Sequence, residues 1–332
     1  MELNSKIILV TGCAGFIASK ISELMLEQGT TVIGLDNMND AYSTTLKEWR
    51  LARIQKFSNF EFHRMDITNL DAIKGLFQQH KFDAVMNLAA RAGVRASVEN
   101  PWVYVSTNVT GTLNILELCK DFNVKKFVLA STSSIYGANE MPFNEDDKAD
   151  KQLSPYAATK KGAEALAYTY HYLYGIDITI PRYFTVYGPA GRPDMMPFRF
   201  IHHIAEGIPI PVYGDGTQER DFTYVDDIAR GSIACLKPLG FEVINLGSDR
   251  PVKVNYVIQL MEQYLDKKAI IEYQPSHPAD VPATWADISK ARKLLSWNSR
   301  FSIEEGIQNA VSWYLENKDW SKNVEEILRF KD

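Results

Sequence analysis

The stretch Lys6-Ile7-Ile8-Leu9-Val10-Thr11-Gly12-Cys13-Ala14-Gly15-Phe16-Ile17-Ala18 decides the fold of this chain. It begins with a short apolar, β-branched run, which predicts a buried parallel strand, and continues through a glycine-containing turn into an amphipathic helix at 16–28. Gly12 permits the tight turn, and Gly15 lets the backbone approach a pyrophosphate at the helix N-terminus, where free N–H groups favour anions. The context indicates a dinucleotide site rather than an ordinary strand-to-helix turn.

A carboxylate follows the second predicted strand, at 31–35. Asp36 lies about 20 residues beyond the glycines, where a carboxylate accepts hydrogen bonds from a ribose hydroxyl and repels a 2′-phosphate. This position favours NAD over NADP as the cofactor. Lys47 and Arg50 come next in the sequence, and we expect them to be solvated charges on a helix.

Strands and helices alternate along the first 181 residues. This repetition predicts an α/β fold with a Rossmann-like, doubly wound parallel sheet. The further predicted strands are 60–65, 84–88, 127–130 and 176–181, and the predicted helices are 70–79, 101–122 and 156–174.

Prolines and glycines punctuate the chain after Pro181, and they predict short segments without long regular elements. We interpret this region as part of a smaller α/β substrate-binding lobe made of two separate pieces. A helix at 226–236 and a strand at 242–246 return to the main sheet, and helices at 255–265, 288–295 and 303–316 complete the lobe. The predicted division is 1–181 plus 218–247 for the NAD-binding domain and 182–217 plus 248–332 for the nucleotide-sugar-binding lobe.

The charge pattern excludes several classes of partner. The 332 residues carry a formal net charge of −5 and no Lys/Arg block, which argues against a nucleic-acid surface. The first ten residues include charges and no apolar stretch long enough for a signal or a membrane span, so we expect a cytoplasmic protein without a membrane partner. Three separated cysteines suit reduced thiols, and the six histidines show no metal-ligand spacing, so no metal site is predicted. The adjacent His202 and His203 are expected to be structural or surface residues.

Tyr156 and Lys160 are spaced four residues apart in a predicted helix, so both side chains reach the same face. A lysine ammonium beside a phenol lowers the phenol pKa, which makes tyrosine a usable base. The hydroxyl-rich stretch Ala130-Ser131-Thr132-Ser133-Ser134-Ile135-Tyr136-Gly137 follows a predicted strand, and ligands bind beyond the carboxyl ends of such strands. Such a loop can also simply cap its own backbone.

These pieces together resemble the extended short-chain dehydrogenase/reductase family, and within it the nucleotide-sugar epimerases. The resemblance runs across nearly the whole chain through motifs in the family order. They are Asn87-Leu88-Ala89-Ala90, Arg182-Tyr183-Phe184, Val186-Tyr187-Gly188-Pro189, Arg220-Asp221-Phe222 and Trp285-Ala286-Asp287.

The resemblance implies a catalytic set and a bound NAD. Thr132 would hydrogen-bond the reacting sugar oxygen, Tyr156 would be the acid/base, and Lys160 would be its electrostatic partner and a ligand of the nicotinamide ribose. The implied NAD-binding residues are Gly12, Gly15, Phe16, Ile17, Asp36, Asp66, Ile67, Leu88, Ala89, Tyr156, Lys160 and Tyr183.

The expected reaction follows from one position at which this chain differs from some members of the family. Members that dehydrate or decarboxylate the sugar place a Glu two residues before the loop tyrosine, whereas this chain has Ser134 there. We therefore expect plain 4-epimerisation of a UDP-sugar through a transient 4-keto intermediate.

The stretch from Thr185 to Met195 resembles the UDP-glucuronate 4-epimerases, and Ser133, Ser134 and Thr185 could form a hydroxyl cradle for the uronate carboxylate. The other implied substrate contacts are Pro211, Val212 and Tyr213 to uracil, Arg220 to the diphosphate, Asp280 to the nucleotide ribose, and Arg192 to the nucleotide or diphosphate.

Two other functions stay open. One is 4-epimerisation of UDP-glucose and UDP-galactose or their N-acetyl forms, because Thr284 matches a family position where small side chains enlarge the sugar pocket. The other is a non-catalytic NAD-binding protein. On family grounds a homodimer is expected, through the helices at 101–122 and 156–174.

Overall fold

The structure of the chain is a computed structural model that describes residues 3–275 and 283–324. Its strands are β1 (Ile7–Thr11), β2 (Thr31–Asp36), β3 (Phe60–Arg64), β4 (Ala84–Asn87), β5 (Lys126–Leu129), β6 (Ser131–Thr132), β7 (Asp177–Tyr183), β8 (Thr185–Tyr187), β9 (Ile210–Tyr213), β10 (Glu219–Tyr224), β11 (Phe241–Leu246), β12 (Pro251–Lys253) and β13 (Ile271–Gln274). Its α-helices are α1 (Phe16–Glu27), α2 (Thr44–Ile54), α3 (Leu70–Gln79), α4 (Val94–Glu99), α5 (Pro101–Tyr104), α6 (Gly111–Asp121), α7 (Pro155–Tyr174), α8 (Met196–Glu206), α9 (Val225–Ala234), α10 (Val254–Leu265), α11 (Ser289–Leu295), α12 (Ile303–Glu316) and α13 (Lys318–Ser321). A π-helical turn, Val105–Thr110, joins α5 to α6, and a 3-10 turn, Ser133–Tyr136, follows β6.

The main sheet has the strand order β11-β7-β5-β4-β1-β2-β3, with β6 paired to β7. Its neighbouring strands are parallel, for example Leu9 beside Ile33. Leu9 packs into a core with α3, α6 and α7, whereas Ile8 and Val10 point into a core on the opposite face with α1. Both faces are therefore covered, as an all-parallel sheet requires. The doubly wound parallel fold predicted from the sequence is confirmed.

The sheet order reverses between β1 and β4, and this reversal opens a crevice at the carboxyl ends of the two strands. Thr11 fixes the crevice. Its hydroxyl donates to the Asn87 side chain at 2.6 Å and accepts the Leu88 and Ala89 N–H groups at 3.1 and 3.0 Å. The chain after β4 is thereby held against the glycine turn after β1.

The second lobe contains the β12-β10-β8 and β13-β9 sheets, which pack with α8, α10 and α12 around one apolar core. The expectation that residues after Pro181 lack long elements is wrong for α8, an 11-residue helix. Pro197 stands in its first turn, where a missing N–H removes no helical hydrogen bond. His202 and His203 are buried in α8, with side-chain hydrogen bonds to Tyr314 at 2.8 Å and to the carbonyl of Pro209 at 2.7 Å.

The pairing of β10 bears on the predicted domain boundary. β10 falls within the piece assigned to the NAD-binding domain, yet it pairs with β8 and β12 of the other lobe, so we propose a domain boundary after Tyr224 rather than at 218.

None of the helices in the described part of the chain has the length and apolar character needed to span a bilayer.

Candidate active site

The helix α7 sets the positions of the predicted catalytic pair. Ser154 caps it, since its hydroxyl accepts the Ala157 N–H at 3.2 Å, and Pro155 occupies the first helical position. Tyr156 therefore lies in the first turn and Lys160 one turn later, both facing the end of the main sheet. The cap fixes where the helix starts, and so fixes the two side chains against the loop after β5.

Thr132, Tyr156 and Lys160 come together at this edge. The Thr132 hydroxyl accepts the Ser134 N–H at 3.2 Å, which caps the 3-10 turn, and it hydrogen-bonds the Tyr156 phenol. The Lys160 ammonium donates to the carbonyl of Ala130 at 2.9 Å. The structure thus assembles all three residues assigned to catalysis.

The pKa of Tyr156 departs from the expectation. Burial raises it above the ordinary tyrosine value, and the opposing effects of the Thr132 hydrogen bond and the Arg192 charge do not cancel that rise. The expectation that the Lys160 ammonium lowers the pKa of the Tyr156 phenol is wrong. The ammonium is directed to the carbonyl of Ala130 instead. A further positive charge beside the ring would lower this pKa and favour the phenolate.

Lys160 should make the stability of the ligand-free protein depend on pH. Burial lowers its pKa to about 8, and the Glu164 carboxylate opposes this only in part. Between pH 8 and about 10.4 the unfolded chain binds a proton that the folded chain has lost, so the free energy of unfolding should rise with pH. Relative to Lys160→Met, the wild type should gain roughly 3 kcal/mol over this range. Urea denaturation of both proteins, stripped of bound small molecules, measures the difference; a constant difference from pH 7 to 10 would contradict the assignment.

A buried ion pair lies beside the strand that carries Thr132. Arg182 of β7 binds Glu164 of α7 through two hydrogen bonds of 2.9 and 2.7 Å, and Ser131 donates to the same carboxylate at 2.7 Å. The guanidinium also lies 4.8 Å from the centre of the Tyr136 ring. The pair joins α7, β7 and β6, the short strand that carries Thr132.

A cavity of about 90 Å³ lies at the crevice between β1 and β4. It is lined by most of the residues predicted to bind the cofactor, namely Gly12, Gly15, Asp36, Asp66, Ile67, Leu88 and Ala89, together with Arg192. Phe16 instead faces a separate cavity behind α1, and the Tyr183 hydroxyl hydrogen-bonds Ser232 at 2.8 Å. All of the predicted cofactor contacts stay predictions, including those of Phe16, Ile17 and Tyr183.

The glycine turn fits a pyrophosphate. Gly15 is the N-cap of α1, and within the described part of the chain no side chain caps this end, so the first helical N–H groups are left for an anion. Gly12 has a φ of +70°, and a Cβ there would stand 2.9 Å from the backbone of Ala89. Asp36 accepts the Ala14 and Met38 N–H groups at 3.2 and 2.8 Å, and its remaining lone pairs can accept ribose hydroxyls.

Lys47 and Arg50 are buried, which corrects the expectation that they are solvated. They belong to α2, whose inner face packs behind the glycine turn. Arg50 donates to the carbonyls of Ala190 at 2.7 Å and Ala14 at 3.3 Å, and to the Tyr42 hydroxyl at 2.7 Å. A guanidinium can be buried when oxygen acceptors satisfy its donors. Arg50 therefore ties the glycine turn to the loop that leads to Arg192.

Asn108, which follows the cavity-lining Thr107, is a buried polar residue that the sequence analysis missed. Its buried amide accepts the Arg91 N–H at 2.8 Å and donates to the Arg91 carbonyl and the Thr159 hydroxyl, both at 3.0 Å. It lies in the π-helical turn, a form often found at functional sites. A polar residue inside an otherwise helical pattern was the available signal.

The residues predicted to bind substrate are spread over several elements. They are Ser133 and Ser134 in the 3-10 turn, Thr185 in β8, Arg192 in the loop before α8, Pro211, Val212 and Tyr213 in β9, Arg220 in β10, and Thr284, whose hydroxyl accepts the Asp221 N–H at 3.1 Å. Asp280 lies outside the described residues. Arg95, also missed from the sequence, places its guanidinium 4.0 Å from the centre of the Tyr213 ring. These substrate contacts stay predictions.

Comparison with known proteins agrees with this geometry. Residues 8–247 match the model of the NAD dependent epimerase/dehydratase family. The chain is 61% identical over 317 residues, 95% of its length and 98% of the relative's, to the UDP-glucuronate 4-epimerase of Thermodesulfobacterium geofontis. It resembles the crystal structure of UDP-glucuronic acid 4-epimerase from Bacillus cereus in complex with UDP-glucuronic acid and NAD, with a TM-score of 0.89, 39% identity and coverage of 94% of this chain and 99% of that one. A UDP-glucose 4-epimerase from Thermotoga maritima gives a TM-score of 0.86 at 30% identity, with coverage of 94% and 99%.

Proposed function

Because this chain belongs to the NAD dependent epimerase/dehydratase family, we propose that it interconverts UDP-glucuronate and UDP-galacturonate by epimerisation at C4. The observation that carries the proposal is the meeting of Thr132, Tyr156 and Lys160 at the edge of the main sheet where the glycine turn and Asp36 line a crevice. The identity of 61% to a UDP-glucuronate 4-epimerase supports the choice of sugar.

Each catalytic side chain has a separate task. Tyr156 takes the proton of the C4 hydroxyl at its phenol oxygen and later returns it. Thr132 orients the phenol and the reacting oxygen. NAD, when bound, supplies the hydride acceptor and donor, and its positively charged nicotinamide is the further positive charge that favours the phenolate. Lys160, with a pKa of about 8, is mostly charged at neutral pH and binds the adjoining ribose.

The preference for a uronate rests on hydroxyl groups. Oxidation at C4 of a uronic acid gives a β-keto acid, which loses carbon dioxide when its carboxylate bond aligns with the carbonyl π system. Ser133, Ser134 and Thr185 offer donors that hold the carboxylate without a positive charge. Ser134 also replaces the Glu that family members with a further chemical step carry, so the 4-keto sugar has no such acid/base beside it.

The substrate preference can be tested with Thr185→Val, which keeps the shape of the side chain and removes its hydroxyl. A hydrogen bond to a charged group contributes roughly 1.5–3 kcal/mol, so kcat/KM for UDP-glucuronate should fall about tenfold or more. Proton NMR with UDP-glucuronate and no added NAD should show UDP-galacturonate and no decarboxylated pentose. UDP-galactose is the control sugar, and its slow turnover should be unchanged by the variant. Equal turnover of the two sugars by the wild type would move the assignment to a neutral sugar.

A homodimer is supported by an exposed apolar surface. The exposed large side chains on α4, α5, the π-helical turn and α7 are Val98, Trp102, Val105, Tyr168, Tyr172, Leu173 and Tyr174. Trp102 is 80% exposed and Tyr172 is 76% exposed, which is costly for a monomer unless a second surface covers them. A second copy of the chain can present the same helices about a two-fold axis.

Trp102→Asp should therefore convert the dimer into a monomer, because the new charge would be buried against apolar side chains. Analytical ultracentrifugation measures the change. Tyr273→Asp is the matched control, since Tyr273 is a 61% exposed aromatic residue on β13 in the other lobe. A wild type that sediments as a monomer, or a dimer lost equally in both variants, would contradict the assignment.

The cytoplasmic location stays a proposal. Cys13, Cys119 and Cys235 are buried and unpaired thiols, which supports a reducing compartment.

A further inference from the structure

Two histidines and a glutamate meet at the outer edge of the main sheet. Glu61 and His63 are two residues apart on β3, so their side chains leave the same face of the strand. His80 follows the last residue of α3 and stands beside them. β3 is the edge strand of the sheet, so the cluster is open to solvent from one side. The spacing in the sequence gives no sign of this cluster, because its members belong to two elements.

Three possible ligand atoms converge there. His63 Nε2 lies 2.7 Å from Glu61 Oε1, and His80 Nε2 lies 3.7 Å from the same oxygen. All three ligand atoms are within 4.8 Å of one another. The His80 ring stacks on the Phe82 ring, with the ring centroids 5.8 Å apart, and this contact holds the side chain in place. Both histidine side chains are about four-fifths buried, whereas the Glu61 side chain is 49% exposed and free to adjust.

We propose that Glu61, His63 and His80 form a binding site for a transition-metal dication of the zinc type. Zinc binds histidine nitrogen and carboxylate oxygen at roughly 2.0–2.2 Å, which places tetrahedral ligand atoms roughly 3.3 Å apart. The two separations from Glu61 Oε1, 2.7 and 3.7 Å, bracket that value, so small side-chain rotations complete the geometry. Water takes the fourth position.

The ligand set selects among metals. Imidazole nitrogen suits Zn²⁺, Ni²⁺ and Cu²⁺, whereas Mg²⁺ and Ca²⁺ prefer oxygen ligands. The three cysteines are buried and do not compete for an added ion. The metal would connect β3 to the end of α3, and would stabilise the folded chain through mass action. None of the three ligands lines the cavity between β1 and β4, so turnover should not require the metal.

Isothermal titration calorimetry of the untagged, NAD-containing protein with ZnCl₂ tests the proposal. We expect one saturable site per chain and a rise in Tm on adding zinc. Glu61→Gln, His63→Gln and His80→Gln should each weaken binding by at least about tenfold, since loss of even an outer-shell partner costs 10–100-fold. His171→Gln is the matched control: His171 hydrogen-bonds the Ile176 carbonyl at 2.8 Å and belongs to α7, so the variant should bind zinc as the wild type does.

A second measurement uses the wild-type protein, so it does not depend on whether the variants fold. Co²⁺ added to the wild type should give the intense visible absorption of a four-coordinate site, and zinc should displace it. The metal-free Tm of each variant distinguishes a lost ligand from a damaged fold. Absence of saturable zinc binding by the wild type, or unchanged affinity in all three ligand variants, would overturn the proposal.

Discussion

Turnover of UDP-glucuronate by Tyr156→Phe is expected to fall by roughly 10²–10⁴-fold, with NAD still bound, because the variant loses only the phenol oxygen that carries the C4 proton. The ring and its packing against Tyr104, with centroids 6.2 Å apart, are retained. Proton NMR of the conversion gives the rate, and absorbance of the released cofactor gives the NAD content.

Tyr104→Phe is the matched control for this change. Tyr104 is the neighbouring tyrosine, and its hydroxyl donates to the Ala92 carbonyl at 3.2 Å rather than joining Thr132 and Lys160. We expect its turnover to stay within a few-fold of the wild type. If Tyr156→Phe kept wild-type turnover, Tyr156 would not be the acid/base.

The second large effect is on stability. Glu164→Ala should lower the free energy of unfolding by roughly 3–5 kcal/mol, because it leaves the buried Arg182 guanidinium without its carboxylate. Both side chains are nearly inaccessible to solvent, and Ser131 would lose its acceptor as well. Burial acts to lower the pKa of Arg182, but Glu164 overcomes that effect and raises it, so the arginine stays charged in every practical buffer. Urea denaturation measures the loss.

Two comparisons separate this effect from a general loss of ion pairs. Glu164→Gln keeps an oxygen acceptor for Ser131 and should lose less stability than Glu164→Ala. Lys268→Ala removes a pair in which the lysine side chain is 88% exposed, and should change the free energy of unfolding by less than about 1 kcal/mol. A loss of under about 1 kcal/mol in Glu164→Ala would show that the pair does not stabilise the fold.

The main sheet could be predicted because its signals are local. An apolar run such as Ile7–Thr11 and the following glycine turn specify strand, turn and helix within some twenty residues. The positions of Tyr156 and Lys160 follow from helical spacing in the same way. α8 was missed because its flanking prolines and glycines indicate breaks, whereas Pro197 is compatible with a helix start.

The remaining features depend on contacts between distant parts of the chain. Arg50 is buried because it reaches the carbonyl of Ala190, 140 residues away, and a helical pattern does not reveal such an acceptor. The Lys160 ammonium points to Ala130 because the two elements pack together, which reverses the simple expectation for the Tyr156 pKa. The cluster of Glu61, His63 and His80 likewise exists only in the folded chain.

The most direct test of the proposed reaction is conversion of UDP-glucuronate labelled with deuterium at C4, by purified enzyme without added NAD. If Tyr156 moves only the hydroxyl proton and the C4 hydride is removed and returned within one active site, UDP-galacturonate should keep the deuterium at C4 and none should appear in the solvent. Loss of the label to water, or no conversion of the labelled sugar, would contradict the mechanism.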